Sequence, residues 1–199
     1  MKFSDFNLEK NSDGLLPVIV QDSRTKKVLM LAYMNEAAFD KTVETGLVTF
    51  WSRSRKELWT KGETSGNYLH LEKMYPDCDA DTLLVTVRPD GPACHRGTTS
   101  CFDTPEEEGF LGALEDVVRK RREEMPEGSY TSYLFGKGVN KAAQKVGEEA
   151  VETVIEAVSG NRERYVYEAS DLLYHLLVVN NIMGVSLDDL RRELLSRHK

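Results

Sequence analysis

The sequence predicts an α+β protein, β-rich over residues 1–103 and an all-α helical bundle over residues 104–199. Three observations carry that prediction. Short runs of β-branched and aromatic residues, broken by Gly, Pro and Asp, recur up to about residue 103. Beyond it nearly every segment has helical spacing. Between the two lies Asp103-Thr104-Pro105-Glu106-Glu107-Glu108-Gly109, where Thr104 suits a helix cap, Pro105 the first helical position and Glu107 the partner in a capping box. The domain boundary is placed there.

The β-rich runs, in order, are Pro17-Val18-Ile19-Val20, Val28-Leu29-Met30-Leu31, Leu47-Val48-Thr49-Phe50-Trp51 and Thr82-Leu83-Leu84-Val85-Thr86-Val87. Four to five helices follow. The first is expected from about residue 105 to Glu124, stopping before Pro126; the next, 139–159, is closed by Gly160, and a third, 162–183, by Gly184. A last helix is capped by Ser186. Bundles of this kind build metal sites from acids that face inward.

At 199 residues the chain accommodates one large or two small domains, and 40% hydrophobic with 30% charged residues is the composition of a soluble globular protein. The start, Met1-Lys2-Phe3-Ser4-Asp5, lacks the apolar core of a signal peptide, and the most apolar late stretch is broken by His175, Asn180 and Asn181. No membrane association and a cytoplasmic location are expected. A formal charge of -7 argues against nucleic-acid binding while leaving room for a small anionic substrate neutralised by metal.

The chemistry concentrates in a short stretch. Cys78, Cys94 and Cys101 are the only cysteines, and Asp77, Asp79 and Asp81 are interleaved with the first of them. Three cysteines cannot all pair within one chain, and a reducing cytoplasm leaves their thiolates free. Thiolates suit Zn2+ and carboxylates suit Mg2+, so ligand softness separates two metals here. Three thiolates leave a fourth zinc position open for water, as catalysis requires; His95 either closes that shell as a structural Cys3His centre or stands beside it as a general base. The spacing fits neither an EF-hand loop nor the zinc deaminase signature. A regular strand over 77–81 would spread the three carboxylates over about 13 Å, too far for one ion; a loop, or ligands from two subunits, would resolve this.

In the helical half, Glu148, Glu149 and Glu152 share about a third of the circumference of one helix, opposite Val146, Ala150, Val151, Val154, Ile155 and Val158. That alone is what any amphipathic helix shows. On the next helix, however, Glu168 and Asp171 share a face with Val178, Val179 and Ile182, which would bury them. Buried acids need partners, so the two helices are expected to face each other and share cations among five acids. His175 reads as a packed helix residue. Trp51-Ser52-Arg53-Ser54-Arg55 and the run from Lys61 through Thr64 and Ser65 to Asn67 offer phosphate-gripping groups, although Arg53 and Arg55 on a strand also read as solvent-facing charge. Lys145 reads either as a phosphate contact or as an exposed helix charge.

Over roughly residues 14–185 these motifs resemble the bifunctional histidine-biosynthesis enzymes in which a phosphoribosyl-AMP cyclohydrolase domain precedes a phosphoribosyl-ATP pyrophosphatase domain. The resemblance rests on Gln21-Asp22, on the run from Leu29 to Asn35, on Ser52-Arg53-Ser54-Arg55 and on the run from Lys61 to Asn67. It continues through Asp77-Cys78-Asp79-Ala80-Asp81, Ala93-Cys94-His95, Ser100-Cys101-Phe102, the run from Lys145 to Glu152, and Glu168-Ala169-Ser170-Asp171. It implies Zn2+ at the three cysteines, Mg2+ at the three aspartates and at Glu148, Glu149, Glu152, Glu168 and Asp171, and catalytic roles for His95, Glu148 and Glu152. Trp51, Arg53, Arg55, Lys61, Thr64, Ser65 and Lys145 are the expected substrate contacts. The implied reactions release pyrophosphate from phosphoribosyl-ATP and then open the adenine ring of phosphoribosyl-AMP with a zinc-activated water. A homodimer with the zinc at its interface is also implied. Ala80 departs from the Gly or Asn expected there, and Arg96 from a Thr. Two rivals are a zinc-stabilised interaction protein with a helical dimerisation tail, and a general nucleotide pyrophosphohydrolase.

Overall fold

The computed structural model describes residues 1–11, 13–102 and 109–198. The chain divides into two compact units, Met1–Phe110 and Leu111–Lys199, each with its own core.

In the first unit, β1 (Leu16–Asp22) alternates buried and half-buried residues along its length, the pattern of a strand with one face in the core. It pairs antiparallel with β2 (Val28–Met34) and parallel with β6 (Leu83–Pro89), and β5 (Leu69–Pro76) completes the order β2-β1-β6-β5. β3 (Thr49–Ser52) and β4 (Glu57–Thr60) form a separate hairpin. Helix α1 (Glu36–Thr45) starts at Asn35, whose side chain accepts from the Ala38 amide, and ends at Gly46 in the left-handed conformation. It buries Ala38, Phe39 and Thr42, and the Thr42 hydroxyl accepts from the Thr49 amide, which ties the helix to β3. Val18, Val20, Leu29, Phe39, Phe50, Leu69, Leu83 and Val85 form the centre of the core. Each such side chain contributes roughly 1.5–3 kcal/mol over leaving it in water. A short 3-10 turn over Phe3–Asp5 brings Phe3 and Phe6 against Phe39, with ring centroids 5.9 and 5.8 Å away.

The second unit contains α2 (Phe110–Glu124), α3 (Tyr130–Lys137), α4 (Val139–Ser159), α5 (Arg162–Met183) and α6 (Leu187–Arg197). Gly160 and Gly184 end α4 and α5 in the left-handed conformation and Ser186 caps α6, as the sequence predicts; the structure adds a capping box to Asp189. α3, capped by Ser129, is the helix that brings the number from the four located in the sequence to five. The capping box expected at Thr104, Pro105 and Glu107 lies outside the described residues.

The structure inverts the simple reading of α4. In an ordinary amphipathic helix the valines would be inside. Here Val151, Val154, Ile155 and Val158 are exposed, Val158 at 85%, while Glu149 is buried. α4 and α5 pack with their acids between them, and Val118, Leu134, Ala142, Leu177 and Val178 form the core. Among the described residues no helix is long and apolar enough to cross a membrane.

Candidate active sites

The first unit has a cleft of about 400 Å³ lined by Trp59, Lys61, Gly62, Thr64, Ser65, Asn67, Pro92, Cys94, His95 and Gly97. One wall is the 61–67 turn, which closes on itself through the Gly66 amide to the Gly62 carbonyl. Asn67 donates from its side chain to the Pro92 carbonyl and so joins this wall to the opposite loop. Gly62 is required by this closure. Its φ is +98°, and a Cβ there would lie 2.5 Å from the Tyr68 amide nitrogen and 2.6 Å from the Asn67 carbonyl. Gly62→Ala is therefore expected to cost at least about 2 kcal/mol and to deform the cleft, since backbone cannot step aside as a side chain tip does. Gly46→Ala, with φ +70° and nothing within 4 Å, should cost only about 1 kcal/mol. Urea unfolding of the two variants, with equal losses, would contradict this account.

The loop after β6 turns back on itself: the Gly97 amide donates to the Cys94 carbonyl and the Cys94 amide to the Thr98 carbonyl. Its far end is pinned to β2 by the Cys101 amide on the Leu29 carbonyl and the Ser100 hydroxyl on the Val28 carbonyl. Cys94 and Cys101 thereby stand at the two ends of one loop, near enough for each to shift the other's thiol. The Arg96 backbone amide, 3.5 Å from the Cys94 sulfur, is the main cause lowering that thiol to about 6; burial pushes the Cys101 thiol up. His95 Nδ1 lies 3.9 Å from the Cys94 sulfur. Cys78 is elsewhere, exposed on the turn between β5 and β6. The seven residues of β6, roughly 20 Å of strand, separate that turn from the Cys94 loop in the chain. Among the described residues the three thiols do not form one cluster within a single chain.

The aspartates do converge. Residues 77–81 form a turn, not a strand, with Ala80 at φ 57°, and one carboxylate oxygen from each of Asp77, Asp79 and Asp81 lies within 4.8 Å of the others. The left-handed position explains why Gly or Asn was expected at residue 80. Asp77 accepts the backbone amides of Asp81 and Thr82 at 3.0 and 3.1 Å, which shapes the turn. Lys10 reaches in from the N-terminal segment, bonding Asp79 and lying 2.8 Å from Asp81; it is the main cause lowering the Asp81 carboxyl below its ordinary range. Three converging hard oxygen donors, two of them already holding an ammonium, fit a magnesium ion.

In the second unit Glu149, Glu168 and Asp171 bring carboxylate oxygens within 4.8 Å of one another, and the first two are buried. Burial is the main cause raising the Glu168 pKa; the Arg164 guanidinium, 2.5 Å away, opposes it, and Glu152 and Glu149 add to it. Lys145 binds Glu148 at 2.7 Å and Glu149 at 2.8 Å, which lowers the Glu148 pKa and raises that of the lysine. Of the five predicted acids, three converge, Glu152 is near enough to raise the Glu168 pKa, and Glu148 is turned to Lys145 and Gln144. His175 is buried, with Nδ1 2.8 Å from the Asp171 carbonyl. A carbonyl only accepts, so Nδ1 carries the hydrogen. Nε2 lies 3.2 Å from the Tyr130 hydroxyl. Buried acids held this close favour a multivalent cation between them.

Comparison with known proteins agrees with the division into units. Residues 30–103 match the phosphoribosyl-AMP cyclohydrolase family and residues 111–198 the phosphoribosyl-ATP pyrophosphohydrolase family. The histidine biosynthesis bifunctional protein HisIE of Bacteroides thetaiotaomicron is 57% identical over 94% of this chain and 93% of its own length. Those of Bacillus subtilis and Escherichia coli are 50% and 51% identical, over 100% and 96% of this chain and 98% and 94% of their own lengths. The chain belongs to the bifunctional histidine-biosynthesis enzymes. It carries both phosphoribosyl-AMP cyclohydrolase and phosphoribosyl-ATP pyrophosphatase activities.

For this bifunctional enzyme the cleft gathers Lys61, Thr64, Ser65, Cys94 and His95 of the residues singled out from sequence. Trp51, Arg53 and Arg55 do not line it. Trp51 lies on β3 opposite Leu58, Arg53 stacks 3.8 Å over the Tyr33 ring, and Arg55 pairs with Glu57 at 3.2 Å. Trp59 lines the cleft without having been selected, and Asn67, named only as the end of the phosphate-gripping run, lines it as well. Asn67 had a signal, closing a Gly-Glu-Thr-Ser-Gly-Asn turn; Trp59 had only its aromatic character. Lys10 carried no local signal.

Proposed function

We propose that residues 104–199 release pyrophosphate from phosphoribosyl-ATP with Mg2+, and that residues 1–103 then open the adenine ring of the resulting phosphoribosyl-AMP with Zn2+ and Mg2+. The observation that carries the reading is the convergence of Glu149, Glu168 and Asp171 in one unit of a chain whose other unit lines a cleft with Cys94 and His95.

In the second unit Glu149, Glu168 and Asp171, with Glu152 beside them, would hold magnesium, which when bound neutralises triphosphate charge. Glu148 and Glu152 would take a proton from the attacking water, Glu148 once Lys145 has left it to pair with phosphate oxygens. In the first unit Cys94 and Cys101 would hold zinc together with Cys78 of a second copy, and zinc when bound makes water a nucleophile near neutral pH. The low Cys94 pKa supports this, because thiolate is the ligating form. His95, exposed at the cleft, moves the proton between water and the ring nitrogen. Lys61, Thr64 and Ser65 grip the substrate phosphate; Trp51, Arg53 and Arg55 serve this role only after rearrangement or from a second copy. Asp77, Asp79 and Asp81 hold the magnesium of this unit.

A homodimer is supported twice. Zinc completion needs a second Cys78, and the exposed Val151, Val154, Ile155 and Val158 of α4 form an apolar face that a second copy would cover. Free thiols and the absence of a membrane-crossing helix among the described residues are compatible with the cytoplasm.

Separate expression tests the assignment. Residues 104–199 with magnesium should release pyrophosphate from phosphoribosyl-ATP without ring opening, and residues 1–103 should open the ring of supplied phosphoribosyl-AMP. Two inert halves beside an active full chain would overturn the boundary and the independence of the domains.

A further inference from the structure

We propose that Lys10 is the resting counterion of the Asp77–Asp79–Asp81 turn, holding Asp79 and Asp81 together in the metal-free chain and competing with a divalent ion for their oxygens. The inference rests on the reading of those aspartates as magnesium ligands.

Lys10 is distant in sequence from both partners, so its place is a tertiary choice. The N-terminal segment crosses the turn and is fastened there. Phe3 and Phe6 pack on Phe39, the Asn7 amide donates to the Ala80 carbonyl at 2.7 Å, and the Lys10 ammonium bonds Asp79 and lies 2.8 Å from Asp81. The segment precedes the stretch that matches the cyclohydrolase family, residues 30–103.

The three aspartates are not equivalent under this strap. Asp77 spends one oxygen on the amides of Asp81 and Thr82 and has no contact with Lys10 among its recorded bonds. Asp79 and Asp81 point oxygens at the ammonium. An ammonium is a compact point charge, so it gathers carboxylates that would otherwise repel, and leaves them close enough for an ion to take over. Magnesium binds oxygens at about 2.0–2.1 Å, inside the ammonium contact, so the two cations exclude each other. Lys10 and Asp79 are about half exposed, at 57% and 49%, and the exchange needs no opening of the core.

Mn2+ titration of the full-length, zinc-loaded chain tests this, with Asp171→Asn introduced to silence the second unit's site and free Mn2+ read by electron paramagnetic resonance. Lys10→Met should bind Mn2+ about three- to tenfold more tightly, the competition of two exposed ion pairs being removed. Lys10→Arg should stay close to the parent. Without metal, Lys10→Met should melt below the parent, and saturating Mn2+ should close that gap. Unchanged or weaker Mn2+ binding by Lys10→Met would overturn the proposal. Asp79→Asn separates the two readings: loss of this Mn2+ site supports the aspartates as ligands whatever Lys10 does, whereas retained affinity removes the metal reading and the Lys10 proposal with it.

Discussion

Asp171→Asn is expected to lower pyrophosphate release from phosphoribosyl-ATP by roughly a hundredfold or more, while ring opening of supplied phosphoribosyl-AMP stays near wild type. Asp171 lies one turn beyond Glu168 on α5, and its carboxylate is within 4.8 Å of those of Glu168 and Glu149. The amide keeps the shape and removes one of three converging charges, which on the proposed reading would hold the ion against a triphosphate. Folding should survive, because the metal-free site is a cluster of like charges and the substitution relieves repulsion. Near wild-type release at limiting magnesium would return these acids to a structural role.

The same site sets a pH dependence. The Glu168 pKa is raised in the folded chain, chiefly by burial. A carboxyl raised above its unfolded value contributes stability fully present below the unfolded pKa, and lost as pH rises through the folded one. The metal-free chain should therefore gain stability from this group on acidification from neutral pH into the weakly acidic range. Added magnesium should diminish that gain, since the bound ion favours the ionised form. Melting curves at two pH values, with and without magnesium, read the effect.

Cys94→Ser is expected to abolish ring opening and lower zinc content, with pyrophosphate release unaffected. The Arg96 amide and the loop around it lower the Cys94 thiol to about 6, so thiolate predominates at neutral pH. A serine hydroxyl in that place stays protonated and is a poor zinc ligand. In the unsubstituted chain zinc retention should weaken as pH falls through about 6, because protonation competes directly with the metal. Metal analysis of the purified variant gives the answer, and unchanged zinc with unchanged ring opening would remove Cys94 from the site.

Legibility differed by element for physical reasons. The ends of α4, α5 and α6 were readable because caps are local: Gly160, Gly184 and Ser186 act on backbone groups within a few residues. α1 carries equally local signals in Asn35 and Gly46. β4 and β5 were missed because Glu57, Glu72 and Lys73 interrupt the alternation on exposed stretches.

Residue types and their local spacing determined which groups could ligate metal and that Glu168 would share a buried face with Val178. They did not determine which of those groups meet. Glu148, adjacent to Glu149 in the chain, turned to Lys145; Cys78, amid the aspartates, stayed apart from Cys94; Lys10 arrived on Asp79 from across the domain. The inward turn of α4 also belongs to the tertiary structure, because an amphipathic pattern specifies two faces without stating which one its neighbour takes. Packing against α5 places the acids inside, where low exposure makes a cation between them favourable.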